Sequence, residues 1–344
     1  MISAGFTATN AASSGIRLER KLLKALAKRS DKPGLVFLGL WALSLVATGY
    51  LVYLALGTVW VYPAMFVYGT ILTLSAYAMS HETAHGTAFR TRWLNTTVEW
   101  LTALIYMEEP LHRRYTHTNH HSYTWHVGKD SQMPFDTPMT VTGWLVEVSG
   151  LALLYFHLRT LMRLVTGRYT DVMRAVIPAH ELPKIQRNAW IFLLVYLAIG
   201  TLIVSGQHWL LWFLVYPRLL GMPILSLFGL IQHVEMQENS ASIIDSTRSF
   251  KTDRLAAFFY LNMHNHIEHH LYPQVPFYSL PALHQAIKDQ LPQPDPGFWR
   301  TNLEVLSVVM RRSMGRNTRA RSIRQSPQMI TDGRYQKRSV RSMR

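Results

Sequence analysis

Four apolar stretches constrain this chain more than any other feature. GLVFLGLWALSLVATGYLVYLALG (34–57), VWVYPAMFVYGTILTLSAYAM (59–79) and NAWIFLLVYLAIGTLIVSG (188–206) contain no Asp, Glu, Lys or Arg. At about 1.5 Å per residue, each is long enough to cross a hydrocarbon core of about 30 Å. The fourth, HWLLWFLVYPRLLGMPILSLFGLIQ (208–232), is broken by Pro217, Arg218 and Pro223. An arginine at the bilayer centre is costly, so the expected span covers about 218–233, with 208–216 lying at the far interface. Short links make two hairpins. Both termini then share one side, and the basic N-terminal segment marks that side as cytoplasmic. The expected fold is all-α: a polytopic membrane protein with two transmembrane hairpins, four spans, and a cytoplasmic helical cap that carries the histidines.

Composition agrees with that class. Charged residues make up 16% of the chain, against about 25% in soluble domains. The net charge of +15 concentrates in RLERKLLKALAKR (17–29) and in the segment from Arg311 onward. Positive-inside topology accounts for both. They would also suit an acyl-CoA, an anionic lipid or an acidic electron donor, whereas no nucleic-acid-binding pattern accompanies them. Residues 17–29 read as an amphipathic helix on the membrane surface, with Leu18, Leu22, Leu23 and Leu26 on one face. The apolar segments 93–107 and 143–165 carry Glu99, Glu147, His157 and Arg159, and read as interfacial or buried helices. The domain reading is a basic tail at 1–34, a membrane domain at 35–285, and a basic tail at 286–344, largely disordered after 311.

The chain has no cysteine, which excludes disulfides, thiolate zinc sites and cysteine-held iron–sulfur clusters. Any metal must be held by nitrogen or oxygen. The 16 histidines fall mostly in tight groups. His81 and His85, in HETAHGT, share a helix face at i and i+4. His117, His120 and His121, in HTNHH, repeat that geometry at i, i+3 and i+4. His266, His269 and His270, in HIEHH, repeat it again. His233, in LIQHVEM, stands at a membrane exit.

H-E-x-x-H is also a zinc-protease motif, with the glutamate as general base. Its extended form would need Gly at 88 and His at 91, where this chain has Ala88 and Thr91. A catalytic zinc uses three protein ligands, which leaves both histidine triplets unexplained. A metal or haem transporter would place its histidines at membrane depth, and here they lie mostly beyond the span ends. Two metals with four or five nitrogens each would consume the set, and imidazole suits iron.

HETAHGT, HRRYTHTNHHSYT, LIQHVEM and NMHNHIEHHLYPQVPFYSLPALH together resemble the histidine boxes of the integral-membrane fatty acid desaturase and hydroxylase superfamily. The likeness runs from about residue 35 to 285. It implies that His81, His85, His117, His120, His121, His233, His266, His269 and His270 hold two iron ions. It also implies O2 as co-substrate and a lipid acyl chain as substrate, with a double bond as the product. Hydroxylation of an alkyl, aryl-methyl or isoprenoid substrate is the alternative on the same site. No histidine precedes a proline, so the fused haem motif common in that superfamily is absent. No Gly-rich dinucleotide fingerprint is present either. Electrons would therefore come from a separate ferredoxin, rubredoxin or cytochrome b5-type donor with its reductase. Glu82, Asn119, Asp130, Asn265 and Glu268 are candidates for orienting the imidazoles. Trp93, Trp100 and Trp125 are candidates for the mouth of an apolar groove. His112 and His126 flank the second box as structural or substrate-facing residues.

Overall fold

The computed structural model describes residues 10, 11, 13–133 and 137–314. Helices, in order, are α1 (Arg20–Leu26), α2 (Asp31–Ala55), α3 (Val61–Ala84), α4 (Arg92–Tyr106) and α5 (Pro110–Ser122). They continue as α6 (Val141–Val148), α7 (Leu151–Val165), α8 (Asp171–Val176), α9 (Leu182–Val204) and α10 (Tyr216–His233). The last are α11 (Ile243–Ser246), α12 (Arg254–Phe259), α13 (His266–Leu271), α14 (Leu280–Ile287) and α15 (Phe298–Ser313). Among the described residues the only strand-like pairing is one isolated parallel bridge, Phe250 to Asp295. Among the described residues, four helical segments are by themselves long and apolar enough to cross a membrane: Asp31–Ala55, Val61–Ala84, Ala179–Val204 and Leu211–His233; α6 and α7 qualify only as a bent pair. The all-α, four-span reading of the sequence holds, and the chain is a multi-pass membrane protein.

The first hairpin turns at Gly57, whose φ of +78° suits glycine. α2 leaves Leu43, Val46, Tyr50 and Leu54 exposed, as a lipid-facing helix should. α3 runs past the expected end at 79. Nothing in SHETA breaks a helix, and the chain turns only at Gly86, φ +66°. The first histidine pair therefore rides on the final turn of a span.

The second hairpin differs from expectation. Its returning segment is helical from Leu211, as a π-helical turn that leads into α10. Residues 211–215 thus continue the span instead of lying apart from it. Pro217 has no N–H to bond back into the preceding helical turn, and the π-helical turn at Leu211–Val215 falls where that bond is missing. Arg218 avoids lipid by turning inward and donating from Nη2 to the carbonyl of Tyr106 at 3.1 Å.

α3 and α10 cross at a pair of glycines. A Cβ on Gly69 would come within 1.7 Å of the Pro217 carbonyl oxygen, and one on Gly221 within 2.2 Å of the Gly69 backbone. Small residues let two membrane helices touch backbone to backbone. This contact sets where the lower ends of both spans, and hence His85 and His233, come to lie.

α6 and α7 bend by 72° at Gly150, which has φ +76°. α7 exposes Leu151, Tyr155, Leu158 and Met162, and buries His157 and Thr160 together with Leu161, Leu164 and Val165.

Beyond the spans, α1 does not lie free on a membrane surface. Leu18, Leu23 and Leu26 pack on the cluster of Ile267, Leu271, Leu280 and Leu283, next to the third histidine group. The apolar face that suggested a membrane helix is satisfied by the protein's own cap, and Leu22 is left exposed. α15 packs through Val305 and Val309 against Leu230 and Val234, and Phe298 stacks on Phe228 with ring centroids 4.1 Å apart. Buried Arg248 donates to the Ile231 carbonyl at 2.5 Å and pairs with Asp295 at 2.7 Å. It ties the end of α10 to the segment before α15. The basic tail expected after 311 falls mainly on residues 315–344, outside those described.

Candidate metal centre

Each histidine group is delivered by a helix whose start or end is locally encoded. α5 begins at Pro110, and the Glu109 carboxylate caps it by accepting from the N–H groups of Leu111 (3.1 Å) and His112 (2.5 Å). That cap sets the phase of His117, His120 and His121. α13 is a short helix between Asn265 and Tyr272 with every residue buried. His85 caps the end of α3, and His233 ends α10.

The nine histidines singled out in the sequence meet in two groups. His81, His85, His117, His121 and His269 form one; His120, His233, His266 and His270 form the other. Within each group the candidate ligand atoms all lie within 4.8 Å of one another. The second triplet is shared between groups, with His117 and His121 on one side and His120 on the other. α13 is shared in the same way.

The nitrogens point at each other. His117 Nε2 lies 3.0 Å from His85 Nε2 and 3.1 Å from His121 Nε2. His266 Nε2 lies 3.1 Å from both His233 Nε2 and His270 Nε2. The opposite ring atoms of four histidines are held, while Nδ1 of His121 and of His266 has no hydrogen-bond partner among the described residues. His120 Nδ1 meets Asp130 Oδ2 at 2.9 Å, and His117 Nδ1 meets Gln132 Oε1 at 2.9 Å. His233 Nδ1 meets the Ser246 carbonyl at 2.9 Å, and His270 Nδ1 meets Thr124 Oγ1 at 3.1 Å. With Nδ1 donating outward, the Nε2 lone pairs face inward, as metal ligation requires.

Where both facing nitrogens carry lone pairs, a cation between them would replace repulsion by ligation. Both ring nitrogens of His81 and Nε2 of His269 have no hydrogen-bond partner among the described residues. Burial, followed by the charges of Arg113, His120 and Arg29, lowers the pKa of His85 to about 3. Burial and the neighbouring histidines hold His117, His121, His266, His269 and His270 well below the usual imidazole value. Neutral, inward-facing nitrogens in groups of five and four fit two imidazole-loving metal ions.

Other residues divide. Asp130 touches a histidine of the cluster; it also accepts from the N–H groups of Trp125 and Gln132. Glu82 does not. Its Oε1 accepts from the Phe277 N–H at 3.0 Å, so it braces the segment after α13. Asn119 accepts from the Ser131 N–H, and Asn265 contacts Asn262 and His264. Glu268 accepts from Ser249 Oγ at 2.7 Å and pairs with His284. Gln132, Thr124 and His284 were not anticipated. Only the proximity of Gln132 to Asp130 in the chain hints at the first of them. Trp125 is buried and stacks on His233 at 5.5 Å. Trp100 packs on Phe192, and Trp93 lies on the outer surface. His126 is partly exposed, and His112 is buried.

A cavity of about 180 Å³ adjoins both groups; His117, His120, His233 and His266 line it. A larger groove of about 670 Å³ runs between α3, α10 and the start of α15, and none of the nine histidines lines it.

Comparison with curated proteins found no match. Against protein families, the fatty acid desaturase model matches residues 57–302, from the turn between the first two spans into α15. That match takes in all nine clustered histidines and most of the chain, and the protein belongs to the fatty acid desaturase family.

Proposed function

We propose that this protein is an oxygen-dependent oxidase of lipid acyl chains that holds two irons and forms a carbon–carbon double bond. The observation that carries the reading is the pair of buried, inward-facing nitrogen groups beside one cavity. His81, His85, His117, His121 and His269 would hold one iron, and His120, His233, His266 and His270 the other. Two irons there would supply, with O2, two electrons and two protons, an oxidant strong enough to take hydrogen from an unactivated carbon.

The chain's own residues do the rest. Asp130, Gln132, Thr124 and the Ser246 carbonyl fix imidazole tautomers and ring angles. Such partners typically change metal affinity or activity by about 10–100-fold when lost. Trp125, Phe156 and Leu225 wall the cavity with apolar surface and limit water at the reacting carbon. Electrons arrive from a separate ferredoxin, rubredoxin or cytochrome b5-type donor with its reductase, and the histidine cap faces the cytoplasm with both termini.

Membranes from cells that express the full chain, supplied with labelled O2, test the reaction. Desaturation gives a product with a new double bond and no label. A labelled alcohol would instead assign hydroxylation to the same centre. No O2-dependent product from an iron-loaded protein would contradict both.

A further inference from the structure

The cavity beside the histidines is small and partly lined by polar side chains. Its volume of about 180 Å³ is below the roughly 300–1,000 Å³ of ordinary ligand pockets, so only a short stretch of substrate is enclosed. Four deeply buried side chains on that wall carry polar atoms with no hydrogen-bond partner among the described residues. They are both ring nitrogens of His112, Nδ1 of His157, Oγ of Ser226 and Nε of Arg113. All four residues line the cavity, with the unpartnered atoms themselves enclosed by protein. An alkyl chain would leave these atoms unsatisfied, at about 1–3 kcal/mol each.

The placement of His157 argues the same way. α7 turns Leu151, Tyr155, Leu158 and Met162 outward and His157 inward. An apolar residue at 157 would have served packing alone. The one guanidinium of this wall is matched by a carboxylate. Arg113 pairs with Glu108 at 2.6 Å and lies over the rings of Tyr77 and Tyr106. Glu147 adds a second carboxylate to the cavity lining. An anionic group would meet two carboxylates and one occupied guanidinium. A neutral oxygen suits the wall, because imidazole and hydroxyl can each donate or accept.

We infer that His112, His157 and Ser226 bind a neutral hydroxyl or carbonyl oxygen of the substrate, a few bonds from the carbon that is oxidised. His112 precedes His117 by five residues on α5, about 7.5 Å along the helix axis. The oxygen therefore sets the register of the reacting carbon, making these three residues determinants of specificity. This inference rests on the cavity being the substrate site of the proposed oxidation.

The test is binding, read without turnover. The detergent-purified full chain is photolabelled with an aliphatic alcohol that carries a diazirine, and labelled peptides are mapped by mass spectrometry. Labels are expected on the cavity wall, and octanol should compete far better than octane. Ser226→Ala and His157→Phe should each lower labelling about tenfold, with metal content and melting temperature unchanged. His157→Phe keeps an aromatic ring against Tyr106. If Ser226→Ala labels like the parent, or octane competes as well as octanol, the inference is overturned and the polar wall faces water only. Metal content, measured on the same samples, reports failure of the di-iron reading separately.

Discussion

His120 donates from Nδ1 to Asp130 Oδ2 at 2.9 Å, and the same carboxylate oxygen accepts from the Trp125 N–H. Asp130 therefore sets the tautomer of one histidine and the position of the ring that stacks on another, His233. Asp130→Asn should lower the metal content of the group formed by His120, His233, His266 and His270, with affinity about 10–100-fold weaker. The other group, which Asp130 reaches only through Gln132, should weaken less. Metal titration of the purified variant reads this directly, and equal weakening of both groups would contradict a primary role of Asp130 at His120.

Glu82→Gln separates an oxidase from a protease. The Glu82 carboxylate accepts from the Phe277 N–H and points at no clustered nitrogen. A glutamine amide oxygen can still accept that bond. The variant should keep both metals and most of its activity, with a modest fall in melting temperature. Abolished activity with metal retained would restore Glu82 as a general base.

The spans were legible because lipid demands long runs without charge, although Val141–Val148 and Leu151–Val165 together are also long and apolar enough, as a pair bent by 72°. The histidines of the two groups were legible as members but not as partners. Helical spacing puts His117 and His121 on one face, yet only the tertiary crossing assigns His121 to one group and His120 to the other. Gln132 and Thr124 were invisible for the same reason, since a hydrogen bond across a loop leaves no period in the sequence. The start of the fourth span was misplaced because Arg218 was priced as if it faced lipid, whereas it bonds the Tyr106 carbonyl. The 17–29 helix was amphipathic as read, but amphipathicity does not say whether a membrane or a protein cap covers the apolar face.

Gly221→Ala should damage the fold out of proportion to one methyl group. Its Cβ would meet the Gly69 backbone at 2.2 Å, so α3 and α10 must separate. Overpacking of this kind costs about 1–3 kcal/mol. Gly200→Ala, on α9 with open space around it, is the matched control and should be neutral. Thermal melting in detergent compares them; equal midpoints would contradict the close crossing.

Acid should release the metals and destabilise the protein. His85 titrates at about 3 in the folded chain, and burial lowers His117, His121, His266, His269 and His270 in the same direction. An unfolded imidazole titrates near 6.5. Between those values the unfolded chain binds more protons, so stability falls as pH drops below about 6.5 and is unaffected above it. Each such histidine adds a slope of up to about 1.4 kcal/mol per pH unit. Melting temperature and metal content followed from neutral pH into acid should decline together. A flat melting profile across that window would contradict neutral, buried imidazoles.

Metal content tests the central claim most directly. The full chain is purified in detergent from iron-supplied cells and measured by elemental mass spectrometry beside His117→Ala and His266→Ala. About two irons per chain are expected from the two nitrogen groups, with each variant losing the iron of its own group. A single zinc that survives both substitutions would contradict the di-iron centre and the oxidation built on it.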